Sequence, residues 1–380
     1  MSVKLTEEQN LIVASMRELM TRENWDDYFK ECDNEHKFPE RFCKELSELG
    51  LHQIVNPVEY GGLEENAMVT FVAAWEEVLR LGGNAACIWF SSTYPVILRE
   101  GNEKQKKIAL ELMETGLTKV GNAATEPGAG SDLGAMQTTY TRKDGKVYLN
   151  GQKTFCTDAT YSDYLIVTAL DAETKTKYTN WFVPTNAEGV TIAGLEKLGL
   201  KTNSAGEIYL DNVELEEDDM LGAEGAGFDM QKNDFNTERV VSGLYCYGYA
   251  LCAFEDAAKY ANQRVQFGEA IGRQQLIQLK LANMKAKLTN MRNMIYDGAE
   301  MVDDGTLDKG YAAMCKYYCV VAAQEVTDDA LQILAGVGIC GDHRASRAWR
   351  DIRASRISGG TDEMMILTLG RSIVKEYRNK

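Results

Sequence analysis

The stretch Thr138-Thr-Tyr-Thr-Arg-Lys-Asp-Gly-Lys-Val-Tyr-Leu-Asn-Gly151 decides the fold class. Two short β-prone runs, Thr138–Thr141 and Lys146–Leu149, flank Asp144-Gly145, a dipeptide that tolerates the positive φ of a tight hairpin turn. Asn150-Gly151 carries the same signal and predicts a second turn. Further runs of strand character follow at Tyr164–Ala169, Tyr178–Val183, Val190–Ala193 and Glu207–Leu210. The spacers between them are too short to hold alternating helices. From about Lys119 to about Leu221 the chain reads as one β unit.

On either side the period changes. Upstream, Thr6 with Gln9 three residues on forms a capping box, and Leu11, Ile12, Met16, Leu19 and Met20 recur at helix spacing. Helices are also predicted over Pro39–Leu49, stopped by Gly50, over Met68–Leu81 and over Glu103–Glu114, with a loop at Asn56-Pro57 and Gly61-Gly62. Downstream, Phe228–Gln263, Gln275–Asp303, Asp308–Ala335 and Thr361–Tyr377 hold helical apolar stripes separated by glycines. Helices, then strands, then helices predict an α+β protein with units at 1–119, 120–226 and 227–380.

The chain is 380 residues long, enough for two or three packed units. With 44% apolar and 26% charged residues and only 5 Pro, disordered and collagen-like classes are excluded. A net charge of −16 argues against nucleic acid as the main ligand, because phosphate recognition needs a basic footprint. Nine cysteines without a C-x-x-C pair suit a reducing compartment better than a disulfide framework. His36, His52 and His343 show no metal-ligand spacing, so no metal is expected. The segment MSVKLTEEQN lacks a signal core, and the uncharged stretches Leu81–Leu98 and Val240–Phe254 are broken by Gly, Ser, Asn or Tyr. A soluble, cytoplasmic chain without membrane or nucleic-acid partners is the expectation.

Three motifs carry chemistry. In Thr125-Glu-Pro-Gly-Ala-Gly-Ser-Asp132, Gly128 and Gly130 allow a flat ligand close to the backbone, and Thr125 and Ser131 offer hydroxyls. An ordinary Pro-Gly turn accounts for that segment equally well. Arg264-x-x-Phe267-Gly268, with Gln275 beyond it, suits a diphosphate and a purine, although a helix end with a surface arginine has the same pattern. Gln332-Ile-Leu-Ala-Gly336-Val-Gly338 offers an amide beside a glycine-loosened helix end.

Together and in this order, these segments resemble the acyl-CoA dehydrogenase family along essentially the whole chain. The phrases CAFEDAAKYANQRVQFGEAIGR and RISGGTDEMMILTLGR look like their counterparts in the family's carnitine-pathway member, which reduces a 2-enoyl-CoA. The resemblance implies an N-terminal helical domain, a central β-domain and a C-terminal four-helix bundle. It also implies FAD, an acyl-CoA or enoyl-CoA substrate, a homotetramer and an electron-transferring flavoprotein as redox partner. Residue by residue, it places Asn122, Ala124, Thr125 and Ser131 at the flavin and thioester edge, and Phe155 and Thr157 against the isoalloxazine. Arg264, Phe267 and Gln275 would hold the pyrophosphate and adenosine half. Gln332 and Gly336 would reach the cofactor from a neighbouring subunit, and Thr361 and Glu363 would close the site.

One position departs from the pattern. Most relatives carry a catalytic carboxylate in a Glu-Gly-Thr segment, whereas this chain reads Ser358-Gly359-Gly360-Thr361. The resemblance supplies an alternative in Asn236-Thr237-Glu238-Arg239, with Glu238 as proton carrier and Arg239 at the CoA end. Gly359 leaves room there for a wider acyl group. A surface carboxylate paired with a cation is the plain alternative for Glu238. The function expected is reduction of a 2-enoyl-CoA. A catabolic short- or branched-chain dehydrogenase, a flavin oxygenase and a non-catalytic flavin- or CoA-binding subunit stay open. Arg344, Arg347, Arg350, Arg353 and Arg356 recur every third residue and predict salt bridges between subunits.

Overall fold

The computed structural model describes residues 4–340 and 342–378; Met1–Val3 and Asn379–Lys380, at the ends of the expected first and last units, lie outside it. Six helices come first: α1 (Glu7–Arg22), α2 (Trp25–Glu35), α3 (Glu40–Glu48), α4 (Ala67–Arg80), α5 (Phe90–Glu100) and α6 (Glu103–Glu114). The Thr6 capping box forms as expected, with Gln9 N donating to Thr6 Oγ1 at 3.2 Å and Thr6 N to Gln9 Oε1 at 2.9 Å. The sequence assigns no element to α2, whose charged run WDDYFKECDNE lacks a side-chain cap. Its apolar face, Trp25, Phe29 and Cys32, is nevertheless buried, so packing overrides the weak local signal.

Eight strands follow: β1 (Val120–Ala123), β2 (Thr139–Lys143), β3 (Lys146–Thr157), β4 (Tyr164–Asp171), β5 (Tyr178–Pro184), β6 (Val190–Gly194), β7 (Ala205–Leu215) and β8 (Met220–Leu221). They form one sheet in the order β6-β7-β3-β2-β4-β5-β8, with β1 pairing in parallel with β4. Asp144 and Gly145 take positive φ, 54° and 77°, and close the β2–β3 hairpin as expected.

Asn150-Gly151, expected to turn, instead lies inside β3 as a bulge. The β3–β7 register shifts between Leu149 and Gly151, and Gly151 adopts φ 151°. A Cβ there would stand 2.4 Å from Thr138 Oγ1 and 2.6 Å from Thr138 Cα, so the neighbouring strand admits only glycine. Gly151→Ala should therefore cost about 1–3 kcal/mol, read as a lower urea midpoint; an unchanged midpoint would contradict this packing.

The C-terminal part opens on α7 (Gly227–Gln263) and a two-stranded hairpin, β9 (Val265–Gln266) with β10 (Glu269–Ala270). It continues through α8 (Gln275–Asp303), α9 (Lys309–Leu334), the single turn α10 (Gly336–Ile339), α11 (Arg344–Ser355) and α12 (Asp362–Tyr377). The long helices α7, α8, α9 and α12 form the bundle, and α4 packs on α7 and α8. Gly248 permits that approach, since a Cβ would come within 2.4 Å of Leu79 Cβ. Two hydrophobic cores result. One runs through the helices before and after the sheet, and the other fills the sheet with Tyr140, Val147, Leu165, Trp181 and Ile208.

Two expectations need correction. The arginine run of α11 is satisfied largely within the chain: Arg344 pairs with Asp256 (2.5 Å), Arg347 with Asp26, Arg350 with Asp33 (2.6 Å) and Arg356 with Asp362 (2.7 Å). These carboxylates lie on α2, α7 and α12, and only folding brings them to α11. Second, Cys43 and Cys87 are joined in a disulfide. They are 44 residues apart in sequence and meet only because α3 packs near the turn before α5. Among the described residues no helix is long and apolar enough to cross a membrane.

Candidate active site

Helix α7 places three polar side chains on one side of its N-terminal half. Gln231, Asp234 and Glu238 are three and four residues apart, the spacing of neighbours on a helix surface. Gln231 is buried, and its Nε2 donates to Asn122 Oδ1 at 3.1 Å and to Thr168 Oγ1 at 2.7 Å. That amide ties α7 to β1 and β4. Its Oε1 is buried with no hydrogen-bond partner among the described residues.

Glu238 lies on the wall of a cavity of about 180 Å³ between α4, α5, α7 and α8. Trp89, Ser92, Val96, Asp234 and Asp303 line the same space. Burial pushes the Glu238 carboxyl up to about 7; the nearby Asp234 charge adds to this, while the Ser92 hydroxyl and Arg239 work against it. Glu238 keeps partial exposure and lines this cavity, while protein encloses most of its surroundings. Asp234 is ion-paired with Arg99 at 3.2 Å. Asp303 closes the far wall and caps α4, accepting from Met68 N (2.7 Å) and Val69 N (3.0 Å). Arg239 donates to Asn236 Oδ1 at 2.9 Å, and its Nε is buried without a partner among the described residues.

A shelf adjoins this helix. Thr154 N donates to Thr125 O at 2.9 Å, which sets the Asn122–Thr125 edge beside Phe155 and Thr157. Ala124 is buried, whereas Ser131 and Thr157 are exposed. Phe155 bulges out of β3 at φ 54°, a large apolar ring that is 71% exposed. Above Gly128 and Gly130 a Cβ would meet open space. Beneath the shelf, Lys153 is fully buried and donates to Glu126 Oε1 at 2.8 Å and Ala124 O at 3.1 Å.

The remaining expected residues lie elsewhere. Arg264, Phe267 and Gln275 are exposed around the β9–β10 hairpin and the start of α8, Phe267 at 99%. Gln332 and Gly336 are exposed at the end of α9. None of these five lines the Glu238 cavity. Thr361 caps α12, accepting from Met364 N at 3.3 Å, and Glu363 is exposed in its first turn. At Gly359, φ is 65° and a Cβ would point into open space. The adjoining Gly360 O accepts from the fully buried Lys316 Nζ at 2.6 Å.

Sequence reasoning missed Gln231, Asp234, Ser92, Arg99, Asp303, Lys153 and Lys316. The first two were reachable as the helix-face neighbours of Glu238. The others reach the site from distant elements, and no local signal marks them. Tyr245, Tyr247 and Tyr249, further along α7, are buried. Tyr247 donates to Glu76 at 2.7 Å, and Tyr249 Oη accepts from Ala85 N at 2.9 Å.

Comparison with known proteins identifies relatives across the chain. Three models match in succession: acyl-CoA dehydrogenase N-terminal domain at residues 6–116, middle domain at 121–213 and C-terminal domain at 225–374. A glutaryl-coenzyme A dehydrogenase solved as its glutaryl-CoA complex superimposes with TM-score 0.92 at 28% identity, covering 99% of this chain and 97% of its own. Butyryl-CoA dehydrogenase from Megasphaera elsdenii gives 0.90 at 27%, covering 98% and 100%. A chain from structural work on the electron transferring flavoprotein of Acidaminococcus fermentans and flavin-based electron bifurcation gives 0.90 at 28%, covering 99% and 100%.

Proposed function

The chain belongs to the acyl-CoA dehydrogenase family, and from that premise we propose that it binds FAD and reduces a crotonobetainyl-CoA-like 2-enoyl thioester, with Glu238 as proton carrier. The observation that carries this reading is the joint made by Gln231, which binds the exposed shelf to the helix that presents Glu238.

The shelf fits a flavin. A bare aromatic face at Phe155, open space over Gly128 and Gly130, and the unpaired Gln231 acceptor suit a flat ring bearing an imide N–H. Asn122, Ala124, Thr125, Ser131, Phe155 and Thr157 would hold that ring, and Arg264, Phe267 and Gln275 the distal half. When bound, the flavin supplies the hydride exchanged at Cβ. Glu238 exchanges the proton at Cα, and its raised pKa keeps a deliverable proton near neutrality. Val96 and Trp89 keep the cavity apolar around that carboxyl.

The acyl group is read from charge. Among the described residues lining the cavity, Asp234, Glu238 and Asp303 are acidic and Arg99 is the cation, and Trp89 offers a ring, a wall suited to a quaternary ammonium. Electrons would come from an electron-transferring flavoprotein. The exposed apolar residues of the bundle, among them Leu276, Leu279, Val337, Ile339, Ile373 and Val374, suit burial against further copies in a homotetramer whose Gln332 and Gly336 complete the cofactor site.

Anaerobic titration of the reduced, flavin-loaded protein with crotonobetainyl-CoA and with neutral crotonyl-CoA provides the test. The expected result is flavin reoxidation by both, with the cationic thioester binding about tenfold tighter. Absence of any spectral response to enoyl- or acyl-CoA would overturn the reading. The pH dependence has a defined sign. Protonated Glu238 is the reductive donor, so enoyl reduction should fall as pH rises through about 7. Dehydrogenation, which needs the carboxylate, should rise over the same interval; a flat profile from pH 6 to 8 would contradict the assignment.

A further inference from the structure

Asp234 has so far served only in the acidic wall and in no proton or hydride step, yet it shares the helix face and the cavity of Glu238. Its carboxylate stays partly accessible and is ion-paired with Arg99, whose side chain is half exposed at the molecular surface. The Glu238 carboxyl is the deeper of the two. The groups that face this pair can be named element by element. Helix α7 itself supplies Arg239; α5 supplies Ser92, Arg99 and Glu100; and the end of α8 supplies Asp303, whose oxygens are already engaged by the Met68 and Val69 amides.

We infer that Asp234 is a positioning residue for proton transfer: from the solvent side of the cavity it keeps Glu238 protonated and returns the proton that each turnover removes. This rests on the proposed role of Glu238. After Glu238 has given its proton to Cα it is a carboxylate. A proton then passes from the Asp234 carboxylic acid to the Glu238 carboxylate, directly or through one water, leaving Asp234 ionised. Asp234 takes the replacement from hydronium in solvent, releasing water, and the cycle is balanced. Burial pushes Asp234 up to about 6 against the opposing Arg99 charge, close enough to Glu238 for the exchange to run in both senses. Arg99, paired with Asp234, stabilises the ionised relay.

The test compares wild type with Asp234→Asn and Asp234→Glu, each first shown to bind flavin and to melt as wild type does. Infrared difference spectra should show the Glu238 carboxyl titrating about one pH unit lower in Asp234→Asn, because a neighbouring like charge has gone. Reduction of neutral crotonyl-CoA at pH 7.5 should fall about tenfold, imidazole should restore it, and Asp234→Glu should retain it without imidazole. An unshifted titration, a rate that does not fall, or a fallen rate that imidazole does not restore would overturn the inference. A wild-type flavin that ignores every thioester would instead refute the underlying enzymatic reading, so the two failures are distinguishable. If Asp234→Asn fails to fold, acceleration of wild type by imidazole at pH 8.5, where the relay is depleted of protons and imidazolium still carries one, decides the matter: acceleration supports the relay and its absence overturns it.

Discussion

Glu238→Gln should lower turnover by about 10²–10⁴-fold, the range of a general acid or base in a reaction that must move a carbon-bound proton. The substitution keeps the shape and one acceptor for Ser92, so thioester affinity should change little and the loss should fall on kcat. Stability moves the other way. The Glu238 carboxyl titrates at about 7 against an ordinary 4.5, so between those values the folded protein holds a proton that the unfolded chain releases. The group's contribution to stability is full below 4.5 and declines as pH rises through about 7. At pH 8 Glu238→Gln should therefore withstand denaturant at least as well as wild type while being nearly inactive. A surface carboxylate would show neither effect. An active variant, or one with a lower midpoint at pH 8, would argue against the assignment.

The second large effect is expected beneath the shelf. Glu126 accepts from the buried Lys153 ammonium (2.8 Å), from Gln137 N (2.6 Å) and from Thr138 N (2.9 Å). Burial opposes its charge, yet Lys153 and the two amides hold it below the ordinary carboxylate range. Glu126→Gln leaves Lys153 in the sheet core without a counter-charge, and removing one partner of a buried pair costs about 3–5 kcal/mol. Because Glu126 belongs to the Thr125–Asp132 loop, flavin retention should fall with it. The double substitution Glu126→Gln with Lys153→Met should recover part of the lost stability. A double variant no better than the single one would show that the pair is not coupled.

The sequence disclosed the layout more readily than the site. Asp144-Gly145 predicted its hairpin because the turn chemistry is local, and Thr6 with Gln9 predicted a helix start for the same reason. Asn150-Gly151 carried an equally local signal and misled, since the requirement for glycine comes from Thr138, just ahead of the adjacent β2. The α11 arginines misled similarly, because Asp26, Asp33, Asp256 and Asp362 reach them only through tertiary packing. Resemblance singled out Glu238 by its motif, but the cavity that tunes its pKa is built from α4, α5 and α8. Ser92, Arg99 and Asp303 have unremarkable sequence surroundings, and only the folded chain sets them across from α7. Lys153 is the extreme case: the most polar residue of its strand segment is entirely buried, which no alternation pattern anticipates.

The central proposition is that the Glu238 side chain exchanges the α-proton of a coenzyme A thioester. Holding the flavin-loaded protein with the saturated thioester in D₂O, without an electron acceptor, and weighing the recovered thioester tests it without requiring net redox turnover. Wild type should place deuterium at Cα, and Glu238→Gln should leave the thioester at its original mass. Equal deuterium uptake by both proteins would contradict the account.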